Sequence, residues 1–204
     1  MRPYVICHML SSLDGKIDGE FFSAPACAPA AAQFAKVRTI YDCPATLYGT
    51  TTMEGGYADG HVGALKKADR NYTNEDYVAE SDVKNYIVSL DPKGVLAFGG
   101  KYLEKKKRPR AHVIEVLTEQ ASNNYLAYLR GLDISYILAG KEQIDCRLLL
   151  EKMGSLFGID KLLLSGGGFT NRSFMQEDLI DELSLILAPV ADGGVLWLQY
   201  LRKN

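Results

Sequence analysis

The sequence predicts an α/β fold built on a mixed, mostly parallel central sheet. Three observations carry that expectation. Short apolar runs rich in β-formers recur along the chain, as in YVICHML (Tyr4–Leu10), YIVSL (Tyr86–Leu90) and ISYILA (Ile134–Ala139). Segments with apolar residues at spacings of three and four stand between them, as in CRLLLEKMGSLF (Cys146–Phe157). Repeated strand–helix–strand units of this kind imply parallel strands with both faces covered.

Taken in order, Tyr4–Leu10 reads as a buried strand and Ser11–Gly19 (SSLDGKIDG) as a polar loop leaving it. Phe34, Val37 and Tyr41 mark a helix over Pro29–Tyr41, and Ala45–Tyr48 is a short strand running into Gly49, Thr50, Thr51 and Thr52. Glu54–Val83 is polar, rich in Tyr, Asn and Asp and weakly periodic. It reads as an irregular excursion holding at most one short helix, of the kind that serves as a lid or substrate loop. The strand Tyr86–Leu90 ends at the turn Asp91-Pro92-Lys93-Gly94. Alternation then resumes, with a strand over Ala111–Leu117, a helix over Asn123–Arg130, a strand over Ile134–Ala139 and a helix over Cys146–Phe157. A strand over Leu162–Leu164 enters Ser165-Gly166-Gly167-Gly168. A helix over Thr170–Glu177 follows, with Thr170 or Asn171 as its cap. Leu183–Pro189 is a strand, and Val195–Leu201 would pair with it across Ala191–Gly194 as an antiparallel edge. No repeat or linker interrupts the chain, so one domain is expected over 1–204.

Composition narrows the function classes. With 23 Lys and Arg against 25 Asp and Glu, the formal net charge is −2, which speaks against a nucleic-acid binder. The one basic run, Lys101–Arg110, stands between strand-like segments and reads as a solvated loop. Cys7, Cys27, Cys43 and Cys146 form no CxxC pair, and His8, His61 and His112 are isolated, so no metal site is expected. No run approaches the roughly 20 apolar residues of a membrane helix. The expectation is a soluble, cytoplasmic protein with a small-molecule partner.

Three segments suggest chemistry. In LLLSGGGFTNRSFM (residues 162–175) a strand ends, three glycines follow and a helix begins. Glycine permits close backbone approach, and a helix start offers free N–H groups and a positive dipole end to a phosphate. The alternative is a turn that only packs strand against helix. TLYGTTTMEG (46–55) repeats the theme with three hydroxyls, against the alternative of a Thr-rich turn. SSLDGKIDG puts Asp14 and Lys16 two residues apart, either on a plain tight turn or on an active-site loop. The spacing of the late glycines does not fit the Rossmann fingerprint, because Asn171 stands where its last glycine belongs.

In this order, strand–SLDGK, strand–GxxT and strand–GGG–helix–DEL–strand–P, the three segments resemble the reductase domain of bacterial riboflavin biosynthesis, a member of the dihydrofolate-reductase-like superfamily. The resemblance implies a three-layer α/β/α dihydrofolate-reductase-like fold, a homodimer and NADPH. It implies that Gly49, Thr50, Thr51 and Thr52 line the cofactor phosphates. Ser165, Gly166, Gly167, Gly168 and Phe169 would hold the diphosphate and nicotinamide side, and Ser89 and Asp91 would read the adenosine ribose or its 2′-phosphate. Asp14 and Lys16 would face a pyrimidine or pterin-like substrate as catalytic residues. The implied reaction is hydride transfer from the nicotinamide to C1′ of a ribosylamino-pyrimidine phosphate, as in a 5-amino-6-(5-phosphoribosylamino)uracil reductase. Two alternatives are kept: a reductase of another pterin-like, carbonyl or imine compound, and a non-catalytic nucleotide-binding protein. Ser165, where the pyrimidine reductases usually carry Glu, favours the first of these. A true folate reductase needs a carboxylate in the first helix, and none occurs between Glu20 and Asp42.

Overall fold

The apolar runs become strands of one sheet and the amphipathic segments become helices, as the α/β expectation requires. The computed structural model describes residues 1–105, 108–191 and 193. The strands are β1 (Tyr4–Ser11), β2 (Ala45–Gly49), β3 (Tyr86–Leu90), β4 (Tyr102–Leu103), β5 (Ala111–Leu117), β6 (Ser135–Leu138), β7 (Lys161–Leu164) and β8 (Glu182–Leu187). The helices are α1 (Ala28–Tyr41), α2 (Thr50–Glu54), α3 (Asn123–Gly131), α4 (Cys146–Phe157) and α5 (Gly168–Gln176). The strands hydrogen-bond in the order β4-β5-β3-β2-β7-β1-β8, with β6 also paired to β5. The pairs β1–β7, β2–β7, β2–β3, β3–β5 and β5–β6 are parallel, and β4–β5 is antiparallel. Over 1–204 the chain divides into two compact units, Met1–Cys7 with Cys43–Glu182, and His8–Asp42 with the chain from Leu183.

In the first unit Leu47 stands in register with Val88 and with Leu164, and Val88 with Ile114, all fully buried. One face of β3 and β5 presents Ile87, Val113 and Leu117 to Tyr125, Leu126 and Leu129 of α3. Burying such side chains stabilises by about 1.5–3 kcal/mol each. Helix α3 is capped by Ser122, which accepts from the Tyr125 amide (3.2 Å), and α4 by Asp145, which accepts from the Leu148 amide (2.8 Å). Helix α4 passes close to the chain start: a Cβ on Gly154 would collide with the Met1 carbonyl.

The excursion is irregular, as expected: the short helix α2 ends at Glu54, where the excursion begins, and no helix occurs from 55 to 85. The excursion is also pinned, which argues against a hinged lid. Tyr77 and Tyr136 exchange backbone hydrogen bonds (2.9 Å each), and Asp76 accepts from the Leu138 amide (2.8 Å) and from Lys152 Nζ (3.0 Å). Asn123 and Asn124 accept from the Tyr72 and Ala68 amides (2.7 and 3.0 Å). Finally, the basic run is not merely a solvated loop. It opens with the short strand β4, and Arg108 donates to the Tyr48 hydroxyl (2.6 Å) and lies over Tyr57.

The second unit has its own small core of Leu10, Phe21, Cys27, Ala30 and Ala188, flanked by Phe34, Ile186 and Val190. The Ala188 amide donates to the Ser11 carbonyl and the Leu13 amide to the Val190 carbonyl (2.8 Å each). His8 stacks on Phe34 at 4.2 Å. Its Nε2 lies 3.0 Å from the Phe34 carbonyl, which assigns the proton to that nitrogen, so Nδ1 accepts from Ser184 (2.9 Å). The expected strand over Val195–Leu201 lies outside the described residues.

Among the described residues no helix is long and apolar enough to cross a membrane, and no group of three or more His, Cys, Asp and Glu could hold a metal ion.

Candidate functional site

In the first unit, two neighbouring parallel strands end side by side. Leu47 of β2 pairs with Leu164 of β7, and the Ser165 amide donates to the Leu47 carbonyl (3.1 Å). The corner 165–169 therefore leaves β7 directly beside Gly49 and Thr50 leaving β2. The two glycine-bearing segments singled out in the sequence converge here, at the carboxyl ends of parallel strands. Open α/β sheets bind ligands at that edge.

Thr170 joins the two corners. A Cβ on Gly49 would stand 2.5 Å from Thr170 Oγ1, and one on Gly166 would stand 2.7 Å from both Thr170 Cβ and Cγ2. Gly49 and Gly166 are thus glycines because the first turn of α5 packs onto them. Gly167 differs: nothing lies within 4 Å of where its Cβ would be, and its φ of −67° strains no residue. Its freedom leaves the backbone open to approach from outside.

Helix α5 starts at Gly168 with Gly167 as N-cap and no side-chain cap. The expected cap, Thr170 or Asn171, is corrected, because both lie inside the first turn. The first intrahelical bond runs from the Asn171 amide to the Gly167 carbonyl (3.1 Å), so the amides of Gly168, Phe169 and Thr170 precede it. Phe169 is 88% exposed beside them. Uncapped N–H groups with a positive dipole end suit an anionic oxygen.

The three threonines divide. The Thr50 hydroxyl donates to the Leu90 carbonyl (2.6 Å), tying the start of α2 to the end of β3. Thr51 is exposed and Thr52 half-buried.

Ser89 and Asp91 are buried at the end of β3, at 0% and 1% exposure. Asp91 Oδ2 accepts from the Val95 and Leu96 amides (2.6 and 2.8 Å) and from the Tyr125 hydroxyl (3.3 Å). Burial pushes its carboxyl up, against the pull of those donors. Neither side chain is placed to read a ribose: both are buried, and Asp91 spends its carboxyl on organising the turn from within.

Asp14 and Lys16 lie in the second unit. The Ser12 hydroxyl donates to Asp14 Oδ1 (2.5 Å), and the Lys16 amide donates to Ser12 Oγ (3.0 Å), so Ser12 closes the loop around Gly15 at φ +83°. Asp14 is half-buried and Lys16 exposed.

Sequence reasoning missed Thr170 as a spacer, because only the packing of the first turn of α5 puts it over Gly49 and Gly166. It also missed Glu115, an acid inside an apolar run whose strand is buried on both faces.

Comparison with known proteins adds three findings. The model of the RibD C-terminal domain family matches residues 3–197. A stretch of 78 residues is 35% identical to the 2,5-diamino-6-ribosylamino-4(3H)-pyrimidinone 5′-phosphate reductase of Methanothermobacter thermautotrophicus, covering 38% of this chain and 35% of that protein. A stretch of 84 residues is 33% identical to the protein of the same name from Aquifex aeolicus, covering 41% of this chain and 37% of that protein. The matched stretches thus span little more than a third of those relatives. Among solved structures, Acinetobacter baumannii RibD (form 1) has a TM-score of 0.60 at 21% identity, over 98% of this chain and 51% of that one. A pyrimidine reductase-like protein from Corynebacterium diphtheriae has a TM-score of 0.64 at 14% identity, over 94% of this chain and 76% of that one. At these identities the structural likeness establishes the fold.

Proposed function

Because the chain belongs to the RibD C-terminal domain family, we propose that it is an NADPH-dependent reductase of riboflavin biosynthesis, acting on a ribosylamino-pyrimidine phosphate. The observation that carries the reading is the meeting of the Gly49–Thr50 and Ser165–Phe169 corners on adjacent strand ends, with Gly167 open and α5 uncapped. These residues fit a nicotinamide dinucleotide. The amides of Gly168, Phe169 and Thr170 would hold diphosphate oxygens, Thr51 and Thr52 would add hydroxyl donors, and Phe169 would cover one flat face of the ligand.

The cofactor, when bound, supplies a hydride. The task of this chain is then to orient: to hold the donor carbon about 3–3.5 Å from C1′ of the sugar and to keep water out. Lys16 would bind the substrate phosphate, and Asp14, held by Ser12, would hydrogen-bond the substrate and steer the accompanying proton.

Protein-to-nicotinamide fluorescence transfer with NADPH and NADH, followed by NADPH oxidation with the ribosylamino-pyrimidine phosphate, tests the reading. The expected result is binding of NADPH and turnover of that compound. Asp14→Asn and Lys16→Ala are each expected to cut turnover at least about tenfold with the fold intact. Ser165, where the pyrimidine reductases usually carry Glu, supports a second reading, a reductase of another pterin-like or carbonyl compound. Binding of NADPH with oxidation only in the presence of such compounds would select it. No binding at millimolar cofactor would leave a non-catalytic protein.

A further inference from the structure

Glu115, in the middle of β5, is fully buried, and neither carboxyl oxygen has a hydrogen-bond partner among the described residues. Ser89, its register neighbour on β3, is equally buried, and its hydroxyl is the polar group beside the Glu115 carboxyl. Two residues on from Ser89, just past the end of β3 and on the same face, stands Asp91, whose amide still donates to the Val116 carbonyl. The groups that face Glu115 are Ser89 and Asp91 from β3, Tyr125 from α3 and Tyr136 from β6, its register neighbour on the other side. The Tyr136 hydroxyl accepts from Arg130 Nε (2.9 Å).

Two carboxyl groups buried together on one face do not both ionise. The stronger donors are gathered on Asp91, which takes two backbone amides, while the Tyr125 hydroxyl proton goes to the Leu96 carbonyl. Glu115 has only the neighbouring Ser89 hydroxyl. The charge therefore settles on Asp91 and the proton on Glu115. Burial, and then the nearby Asp91 charge, push the Glu115 carboxyl well above the ordinary carboxylate range.

This arrangement reaches the open corner through the backbone. Asp91 caps the turn to Leu96, and Thr118 clamps the same turn with its amide and hydroxyl, both donating to the Pro92 carbonyl (3.0 and 2.7 Å). Leu90, one residue earlier, accepts the Thr50 hydroxyl. We propose that Glu115 is a positioning residue: as a neutral acid beside an ionised Asp91, it keeps the 91–96 turn seated and, through Leu90, holds Thr50 at the ligand corner. The step from Thr50 to a cofactor rests on the function proposed above; the state of the turn does not.

The sign follows from linkage. A carboxyl raised in the folded protein adds stability that is fully present below its unfolded value and lost as pH climbs through the folded one. Alkaline pH should therefore ionise Glu115, set two anions side by side and loosen the turn.

Wild type and Glu115→Gln, compared from about pH 6 to 10, test this on the whole chain. Wild type should show the infrared C=O band of a protonated buried acid at neutral pH. The band should vanish at alkaline pH and be missing in Glu115→Gln. Amide exchange at Val95 and Leu96, taken as the ratio of wild type to Glu115→Gln at each pH, should rise at least tenfold across the range. KM for NADPH should rise at least fivefold in wild type with kcat held, and stay flat in the variant. Asp91→Asn removes the like charge, so the infrared band should be lost at lower pH; this arm decides the matter if Glu115→Gln does not fold. A neutral-pH wild type without the band, or a flat exchange ratio, overturns the proposal. A flat wild-type KM with a rising exchange ratio overturns its link to Thr50. If NADPH binds neither protein, the cofactor reading falls, while the infrared and exchange arms still judge the turn.

Discussion

At the end of β7, Gly167 has open space where a side chain would stand, and α5 begins with no side chain on its amides. Past the end of β3, two strands away in the same sheet, the polar groups of the turn are spent inward. Asp91 caps Val95 and Leu96, Thr118 holds the Pro92 carbonyl and the Tyr125 hydroxyl donates to the Leu96 carbonyl (2.8 Å). One strand end keeps its hydrogen-bonding capacity for something outside the chain; the other uses its own to build a rigid shoulder. The difference teaches that residues at equivalent strand ends need not share a role, since burial decides which of them can meet a ligand.

The sharpest way to break the comparison is to add a methyl group at each end. Gly94, in the β3 turn, sits at φ +69°, and a Cβ there would collide with the Tyr125 ring. Gly94→Ala is expected to destabilise by about 3 kcal/mol or more, from left-handed strain plus overpacking, measured by urea unfolding. Gly167→Val should do the opposite: a stability loss of only about 1 kcal/mol, from the poorer N-cap, but NADPH affinity down at least about thirtyfold by fluorescence transfer. A strongly destabilised Gly167→Val with normal binding would reverse the assignment of the open end.

A smaller effect concerns the inner end of β5. His112 is buried beside Ser135 (2.8 Å), and burial, with Lys101 nearby, lowers its pKa to about 4. A histidine depressed in the folded state contributes stability that is complete above its unfolded value and drains away as pH falls toward the folded one. Stability should therefore drop by about 1 kcal/mol between roughly pH 7.5 and 5.5, read from urea midpoints. His112→Gln should flatten that slope; an unchanged slope would assign it to other groups.

The order of strands and helices was legible because burial leaves a periodic trace. Tyr86–Leu90, Ala111–Leu117 and Cys146–Phe157 match their elements end to end. Two-residue β4 left no such trace, since its partners come from 8 to 10 positions along the chain. The glycine corners were legible as backbone punctuation. What each glycine is for was not, because that depends on Thr170, whose place is set by how α5 lies on β2. Ser89 and Asp91 misled for a related reason: a polar residue at a strand end reads as ligand-facing until the turn that wraps it is known. The excursion misled through its polarity. Its Asp76, Asn71 and Glu75 look solvent-seeking, yet Asp76 is spent on Lys152 and on the β6 backbone.

Thr170 has a consequence for how this protein can vary. Because one side chain fills the space over both Gly49 and Gly166, positions 49, 166 and 170 form a single steric lock. A larger residue at either glycine becomes tolerable only alongside a trimmed one at 170. Drift at this corner must therefore come as linked pairs of changes, and a substitution harmless in one background should be crippling in another.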